Sequence, residues 1–324
     1  MKTLLMNHRR IQPLSFLLVA AAVLTTNYCS AQEPEDPVLA TIADESIRLS
    51  QVEWEFQKSF GNREVGEQLQ LELKKKILDR LVGQHLILQS FNDSEILANE
   101  DEIKLEVAKL EERLTQTEQQ LDDFLKQQSQ TLETLKFNFR WQISWKRYLD
   151  KTLSDEVMER YFERYHERFD GSQVRVSHLL LKTSETMTVD QVAAVQTKAQ
   201  SIFEAIQSGT EWKAAVTEHS QAPSAKNGGA IGWIGFDGPM PRTFTDQAFA
   251  TEVDSVSEPI RTKFGFHLIR CDEKKRGTIQ WYDAKKQIQQ EAAEELFRRL
   301  VTRQEPKSDV QRFNERLDKA KPKE

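Results

Sequence analysis

The sequence predicts an α+β protein in which a mixed unit at 172–277 lies between two helical stretches. Apolar residues recur with the helical period of about 3.6 residues on both sides of this unit, whereas the alternation typical of a strand marks its beginning. Five of the 12 glycines lie within 225–244, so turn-forming residues are concentrated inside the unit. We expect the two helical stretches to pack together as one domain, with the mixed unit inserted or appended.

Length and charge limit the functional class. A chain of 324 residues is long enough for two domains. It is 30% charged and 38% hydrophobic, as expected of a helix-rich protein. The formal net charge is −6, and proteins that bind nucleic acid usually carry a basic face instead. We therefore expect no nucleic-acid partner.

The first 31 residues are typical of a signal peptide. A positive flank at 8–10 (HRR) precedes an uncharged apolar run at 14–24, and CSA at 29–31 places small residues before a cleavage point. We expect cleavage near Ala31 and export of the mature protein to the periplasm or another extracytoplasmic compartment. The apolar run is about half as long as a membrane span of about 20 residues, so no stable span is expected.

Two alternatives remain open for this segment: it is retained as an anchor, or Cys29 carries a lipid. Cys29 and Cys271 are the two cysteines, and cleavage near residue 31 leaves Cys271 alone. A single thiol forms no intramolecular disulfide, so packing is expected to supply the stability. Cys271 itself is expected to be a small buried residue and not a reactive thiol.

The N-terminal flank begins with strands and continues as helices. VLATIADESIRLS at 38–50 predicts two short strands around an Asp-Glu turn, with Ser50 as the cap of the first helix. Ser154 is predicted to cap a later helix, because acidic residues follow it. Four apolar stripes at helical spacing predict the helices of this flank: 73–88, 103–114, 132–148 and 157–169.

The mixed unit opens with a strand. VRVSHLLL at 174–181 alternates as a strand does, and Thr188 and Gln191 form a T-x-x-Q capping box for the helix that follows. A second, shorter helix, the glycine-rich stretch, another short segment and a final strand at 264–271 complete the order β-α-α-β-α-β.

The C-terminal flank returns to helix. Apolar residues at helical spacing predict a helix over 279–300. The lysine-rich tail from Glu305 is expected to be frayed. The helix is therefore the element expected to pack against the N-terminal helices.

Several motifs of the mixed unit occur together in one order. They are VSHLLL at 176–181, HSQAPSAKNGGAIGW at 219–233, GPMPRTF at 238–244 and IRTKFGFHLI at 260–269, with a helix carrying Lys198 and Ala199 between the first two. In this order and with these gaps, residues 174–276 resemble a parvulin-type peptidyl-prolyl cis/trans isomerase domain. The resemblance implies a small antiparallel sheet with surrounding helices.

The flanks resemble a second family. VLATIADESIRLSQVEWEF at 38–56 is similar to the opening of SurA-like and PrsA-like extracytoplasmic chaperones. In that family, helices before and after the parvulin unit build a peptide-holding domain, here expected to be all-α. The implied division is a signal peptide at 1–31, a helical chaperone region at 32–171, an isomerase domain at 172–277 and C-terminal helices with a charged tail at 278–324.

The resemblance implies an enzyme that isomerises Xaa-Pro bonds and a folding chaperone for exported proteins. Its partners would be unfolded or proline-containing polypeptides. The alternative is a holdase that keeps the parvulin fold and binds unfolded clients with little or no isomerase activity. A purely structural partner-binding protein of the envelope is a third, weaker hypothesis.

Carried over by motif position, the proline pocket would consist of Ile231, Met240 and Phe244. Apolar and adaptable side chains suit a five-membered ring, and a dry pocket can favour the twisted amide over the planar ground states. From the sequence alone, Met240 and Phe244 at a spacing of four residues are also compatible with a simple core role.

The family's two histidines would be His178 and His267, with Thr262 near the second. Without the resemblance, two core histidines bonded to their neighbours would be the simpler interpretation. No His, Cys or carboxylate cluster with ligand spacing accompanies them, so no metal is expected. The glycine run contains neither G-x-G-x-x-G nor G-K-[ST], and prolyl rotation requires no cofactor, so none is expected.

Two positions depart from the family pattern. Ala222 occupies the catalytic position where the family usually has Cys or Asp, so a polar group that faces the reacting amide is missing. Ala230 replaces the Asp of the GGDLG pattern, which concerns the local turn. Ala222 therefore implies a lower catalytic rate on an intact fold. Lys182 is the only base in the loop LKTSETMTVD, so selectivity for phosphorylated Ser/Thr-Pro is not expected.

Overall fold

The computed structural model describes residues 36–61, 63, 65–91 and 95–319. The predicted signal peptide at 1–31 and Cys29 lie outside the described residues. From Pro37 onward the described residues belong to one unit, in which helical flanks surround a mixed unit.

The N-terminal flank forms the two predicted short strands and then six helices. The strands pair antiparallel. Helix α3 begins with a reciprocal capping box between Asn99 and Glu102, and α6 is capped by Ser154 as predicted. The elements are β1 (Val38–Ile42), β2 (Glu45–Arg48), α1 (Leu49–Phe60), α2 (Glu67–Ser90), α3 (Glu100–Thr115), α4 (Leu121–Gln127), α5 (Leu132–Thr152) and α6 (Asp155–Tyr165).

The predicted cap of the first helix is wrong by two residues. Helix α1 begins at Leu49, so Ser50 lies inside its first turn. Arg48 occupies the capping position, and its backbone N–H donates to Oε1 of Gln51 at 2.7 Å. The glutamine at the third helical position thus satisfies the backbone N–H of the capping residue itself.

The mixed unit contains every element of the predicted order and one additional short strand. Its strands form one antiparallel sheet in the order β4-β3-β6-β5. The Thr188–Gln191 capping box is present at the start of its first helix. The elements are β3 (Gln173–Lys182), α7 (Val189–Gln207), α8 (Trp212–His219), β4 (Ala230–Gly235), α9 (Arg242–Ala250), β5 (Ile260–Thr262) and β6 (Gly265–Lys275).

Alternation along β3 divides the core of this unit into two layers. Leu179 and Leu181 point into a cluster built with α7 and α8. Val174 and Val176 point to the opposite face, where α9 supplies Phe244 and its neighbours. The two faces of β3 are therefore both covered, as its run of apolar residues requires.

The C-terminal flank is more ordered than the sequence indicated. Helix α10 (Lys285–Gln304) is followed by β7 (Val310–Arg312) and α11 (Asn314–Lys319). The expected fraying from Glu305 is wrong for residues 305–319, because β7 pairs with β1 and Leu317 is buried in the same core. The predicted fold class is confirmed, and the helical flanks additionally carry the small sheet β2-β1-β7.

Helix α10 packs against helices from the N-terminal flank along its length. Ile288 and Leu296 are buried with Met158 of α6. Further along, Phe297 approaches α2 so closely that a Cβ atom at Gly83 would lie 2.7 Å from its ring. Among the helices of the described residues, none combines the length and the apolar character that crossing a membrane requires.

Candidate active site

The pairing of β3 with β6 brings two histidines together from positions 89 residues apart. His178 lies opposite Ile269 and His267 lies opposite Leu180, so the histidines are diagonal neighbours on the same face of the sheet. Their Nδ1 atoms are 3.3 Å apart, and their rings stack at 25°. The structure therefore places the two predicted catalytic histidines in direct contact.

Two hydroxyl groups bond to the outer nitrogens of this pair. Thr262 Oγ1 lies 2.8 Å from Nε2 of His267, and it also accepts the backbone N–H of Phe264 at 3.1 Å. Ser224 Oγ lies 3.0 Å from Nε2 of His178. A neutral imidazole has one donor and one acceptor, so the four side chains form a hydrogen-bond chain with a single direction.

Both histidines are held neutral by their surroundings. Burial lowers the pKa of His178. Burial and the proximity of His178 lower the pKa of His267 to about 4, and the residue is only 4% exposed. At neutral pH the pair therefore offers directed hydrogen bonds without a net charge. Protonating both rings would place a donor against a donor across the 3.3 Å contact.

An apolar cluster lies beside the histidines. The Phe244 ring on α9 meets both imidazoles edge-on, with centroids 5.9 Å from His178 and 5.5 Å from His267. Ile231 and Met240 are half-buried and pack against the same cluster. Phe244 is 2% exposed, so it lies beneath this cluster's surface, whereas Ile231 and Met240 retain exposed surface that a ligand could contact.

Ala222 stands at the start of the short 3₁₀ turn Pro223–Asn227. Its methyl group contributes no polar atom to the hydrogen-bond chain, and the residue is 6% exposed. Ser224, in the same turn, is the contact to His178 that sequence reasoning missed. Its place two residues after Ala222, the position predicted to be catalytic, could have identified it. Ala230 opens β4 opposite Ser177 and is exposed, so it lies outside the chain.

The backbone conformation requires glycine at position 229 of the glycine-rich stretch. Its φ of +82° is a conformation that side chains rarely adopt, and its carbonyl accepts the backbone N–H of His178 at 2.9 Å. A Cβ atom there would lie 2.3 Å from the His178 carbonyl oxygen. The absence of a side chain is thus what lets the turn close against β3.

A separate cleft of about 580 Å³ opens among the helices of the flanks. Trp141 and Trp145 of α5 stack in it with centroids 5.1 Å apart, and Phe297 of α10 meets both edge-on. Polar and charged side chains from α1, α2, α5 and α10 complete its lining. A cleft lined by apolar rings and polar groups is suited to bind a peptide that carries both apolar and polar side chains.

Cys271 is fully buried and its thiol is free, as the sequence predicted. Burial raises the pKa of this thiol, so it is protonated at neutral pH. Within the described ranges, no three His, Cys, Asp or Glu side chains come together as metal ligands would. The histidine site itself consists of hydrogen-bonded side chains beside an apolar cluster.

Known proteins match this arrangement in both parts of the chain. The family model of the PPIC-type peptidyl-prolyl isomerase domain matches residues 178–273, and that of the SurA-like N-terminal domain matches residues 3–149. The foldase protein PrsA of Clostridium botulinum strain Hall is 25% identical over 340 residues, which cover 94% of this chain and 98% of the relative.

Two further matches are a chaperone and a protein of known crystal structure. Chaperone SurA of Hydrogenovibrio crunogenus is 26% identical over 280 residues, which cover 82% of this chain and 62% of the relative. The structure of the peptidylprolyl isomerase PrsA from Bacillus anthracis is 18% identical and covers 71% of this chain and 96% of that one, with a TM-score of 0.38.

The isomerase-domain match spans both histidines, and the match to the SurA-like domain covers most of the N-terminal flank. These findings favour isomerisation combined with chaperoning over the holdase alternative. The chain contains a PPIC-type peptidyl-prolyl isomerase domain and a SurA-like N-terminal domain, and it is an isomerase and folding chaperone.

Proposed function

We propose that this isomerase acts at the surface formed by the His178–His267 pair and the half-buried side chains of Ile231 and Met240. The observation that carries the assignment is the neutral histidine pair, fixed at its ends by Thr262 and Ser224 and backed by an apolar cluster. The proline ring would lie on Met240 and Ile231, with the preceding peptide bond facing the histidines.

The proposed mechanism uses no covalent step. Rotation about a prolyl bond must overcome a barrier of about 18–20 kcal/mol that arises from amide resonance. An apolar surface that holds the ring removes water, and a twisted amide with less double-bond character is then favoured over either planar form. The neutral imidazoles hold the pocket wall in place, because each ring is fixed by a bond at both nitrogens.

Ala222 sets the expected rate. A carboxylate or thiol at this position would add a polar group close to the chain that ends at Ser224. The methyl group adds none, so we expect slow but measurable catalysis.

We propose that the helical flanks hold the client while the mixed unit acts on it. The division would be a helical chaperone region at 32–171, an isomerase domain at 172–277, and C-terminal helices with a charged tail at 278–324. The Trp141–Trp145 cleft is the proposed binding place for apolar side chains of unfolded or proline-containing clients. The match to the SurA-like domain over 3–149 supports this role for the flank.

We further propose that the protein works outside the cytoplasm, after removal of residues 1–31. The relatives named PrsA and SurA support an extracytoplasmic foldase. N-terminal sequencing of the protein isolated from the cell envelope tests this directly. A mature N-terminus at Gln32 is expected, and an intact N-terminus would contradict it.

Isomerase activity is tested with a proline tetrapeptide and the full chain. The wild-type protein is expected to accelerate cis/trans exchange, and Met240→Ala is expected to lower kcat/KM about tenfold by removing ring contacts worth about 1–2 kcal/mol. Leu69→Ala, at an exposed residue of α2, serves as the matched control. A folded protein without any acceleration would refute the site and its activity together.

The holding function is tested separately with the same protein. Suppression of aggregation of an unfolded client is expected to survive deletion of 172–277. Complete loss of suppression from a deletion variant with native helical circular dichroism would place client binding in the isomerase domain instead.

A further inference from the structure

A four-residue ionic network joins helix α10 to helix α9. Arg168 lies in the 3₁₀ turn after α6, and its guanidinium group is 3.4 Å from Oε2 of Glu291 on α10. Arg242, at the start of α9, reaches Oε1 of the same carboxylate at 3.6 Å. Asp246 of α9 bonds to Arg242 at 3.2 Å and lies 3.8 Å from Arg168. Glu291 therefore contacts one arginine from the flank and one from the isomerase domain.

The two arginines connect this network to the core of the isomerase domain. Both guanidinium groups lie over the Phe236 ring, at 5.3 Å for Arg168 and 4.3 Å for Arg242. Phe236 is buried in the same cluster as Phe244, against which Met240 also packs. The contact sequence therefore runs from a helix of the flank to the wall of the proposed proline pocket.

A second contact ties α10 to the segment that carries Met240. Nε2 of Gln287, one helical turn before Glu291, donates to Oδ2 of Asp237 at 2.8 Å. Asp237 lies between β4 and α9, three residues before Met240. Residues 236–246 are consequently held at two points by one face of α10.

We propose that Glu291 is a positioning residue for the isomerase site. Its carboxylate holds Arg168 and Arg242 over Phe236 and so fixes segment 236–246, which supplies Met240 and Phe244 to the pocket. The inference rests on the proposed function, because it takes the pocket to be the place where proline binds.

The physical reason is the charge balance of the network. Two guanidinium groups share two carboxylates, and the side chain of Glu291 is 22% exposed, so its charge is screened less than that of a surface pair. Without Glu291, Asp246 alone faces two like charges that lie over the same ring. Their mutual repulsion then favours the departure of at least one arginine from Phe236.

The test compares Glu291→Gln with Glu295→Gln in the full chain. Glu295 lies one turn further along α10 and accepts from the Tyr161 hydroxyl within the flank, so it matches the substitution without touching the isomerase domain. We expect Glu291→Gln to lower kcat/KM for a proline tetrapeptide on the order of threefold to tenfold, which corresponds to about 0.7–1.4 kcal/mol. Glu295→Gln is expected to leave it unchanged.

Two readouts separate positioning from loss of folding. The imidazole Cε1–H resonances of His178 and His267 are expected to shift in Glu291→Gln and to stay in place in Glu295→Gln. Added salt should lower the wild-type rate towards that of Glu291→Gln and affect the variant less, because the network is electrostatic.

A double-mutant cycle with Arg242→Gln completes the test and does not depend on one variant alone. The losses caused by Glu291→Gln and Arg242→Gln are expected to be less than additive, because the two groups act on one segment. Fully additive losses, or unshifted histidine resonances in both variants, would overturn the proposal. A wild-type protein with no isomerase activity would refute the proposed function, whereas the resonance shifts would still decide the role of Glu291.

Discussion

The histidine pair makes the stability of the isomerase domain depend on pH between about 7 and 5, a range in which carboxylates contribute little. The pKa of His267 falls from its ordinary 6.5 to about 4, chiefly through burial, and the pKa of His178 falls for the same reason. Between these limits the unfolded chain binds more protons than the folded one. Acidification through this window therefore favours unfolding, and stability returns as the pH rises.

The size of the effect follows from the shift. A group with a pKa of 6.5 when unfolded and about 4 when folded loses about 2 kcal/mol of folding free energy between pH 7 and pH 5. His178 adds to the loss in the same direction. Glu45 and Asp170 have lowered pKa values too, but their ordinary values of 4.5 and 3.8 place most of their contribution below pH 5.

The assay follows the histidine resonances by NMR in the full chain. A titration of the native protein gives the pKa of His267 directly, and urea titrations at pH 7 and pH 5 give the unfolding free energy of this domain from the native signal. His267→Gln is expected to reduce the loss on acidification by about 2 kcal/mol. His219→Gln, which removes an imidazole at the end of α8, is the matched control. A pKa near 6.5 for His267, or equal losses in both variants, would refute the reasoning.

Three further predictions concern the neighbourhood of the site and the cleft. Ala222→Asp is expected to raise kcat/KM for a proline tetrapeptide and, by adding a negative charge, to raise the pKa of His178 in an NMR titration; an unchanged rate in the folded variant would place residue 222 outside the site. Gly229→Ala is expected to cost about 2 kcal/mol or more in urea unfolding, because the substitution combines a positive φ with a 2.3 Å approach to a carbonyl oxygen, and a neutral result would contradict the geometry of this turn. Trp141→Leu is expected to weaken binding of a fluorescent unfolded client about fivefold to thirtyfold, or about 1–2 kcal/mol, while Trp233→Leu, at an exposed residue of β4, should bind as the wild type does.

Local patterns predicted most of the elements because their causes are local. The Thr188–Gln191 capping box and the alternation along β3 depend on residues a few positions apart, and both are present. The predicted cap at Ser50 was wrong because the helix already begins at Leu49. Gln51 of the first turn accepts the backbone N–H of the capping residue Arg48. The order of the C-terminal tail was not predicted because it depends on pairing between β7 and β1. These strands lie more than 260 residues apart in the sequence.

The sequence by itself determined the resemblance to parvulin isomerases, the order of elements and the choice of the two histidines as candidate site residues, because motif order and periodicity are properties of the chain. Only the tertiary structure decided that the histidines meet at their Nδ1 atoms and that Ser224 completes their hydrogen-bond chain. It likewise decided that Glu291 faces the isomerase domain. Each of these contacts joins residues far apart in sequence, and their distance in space is set by strand register and helix packing, which no local pattern encodes.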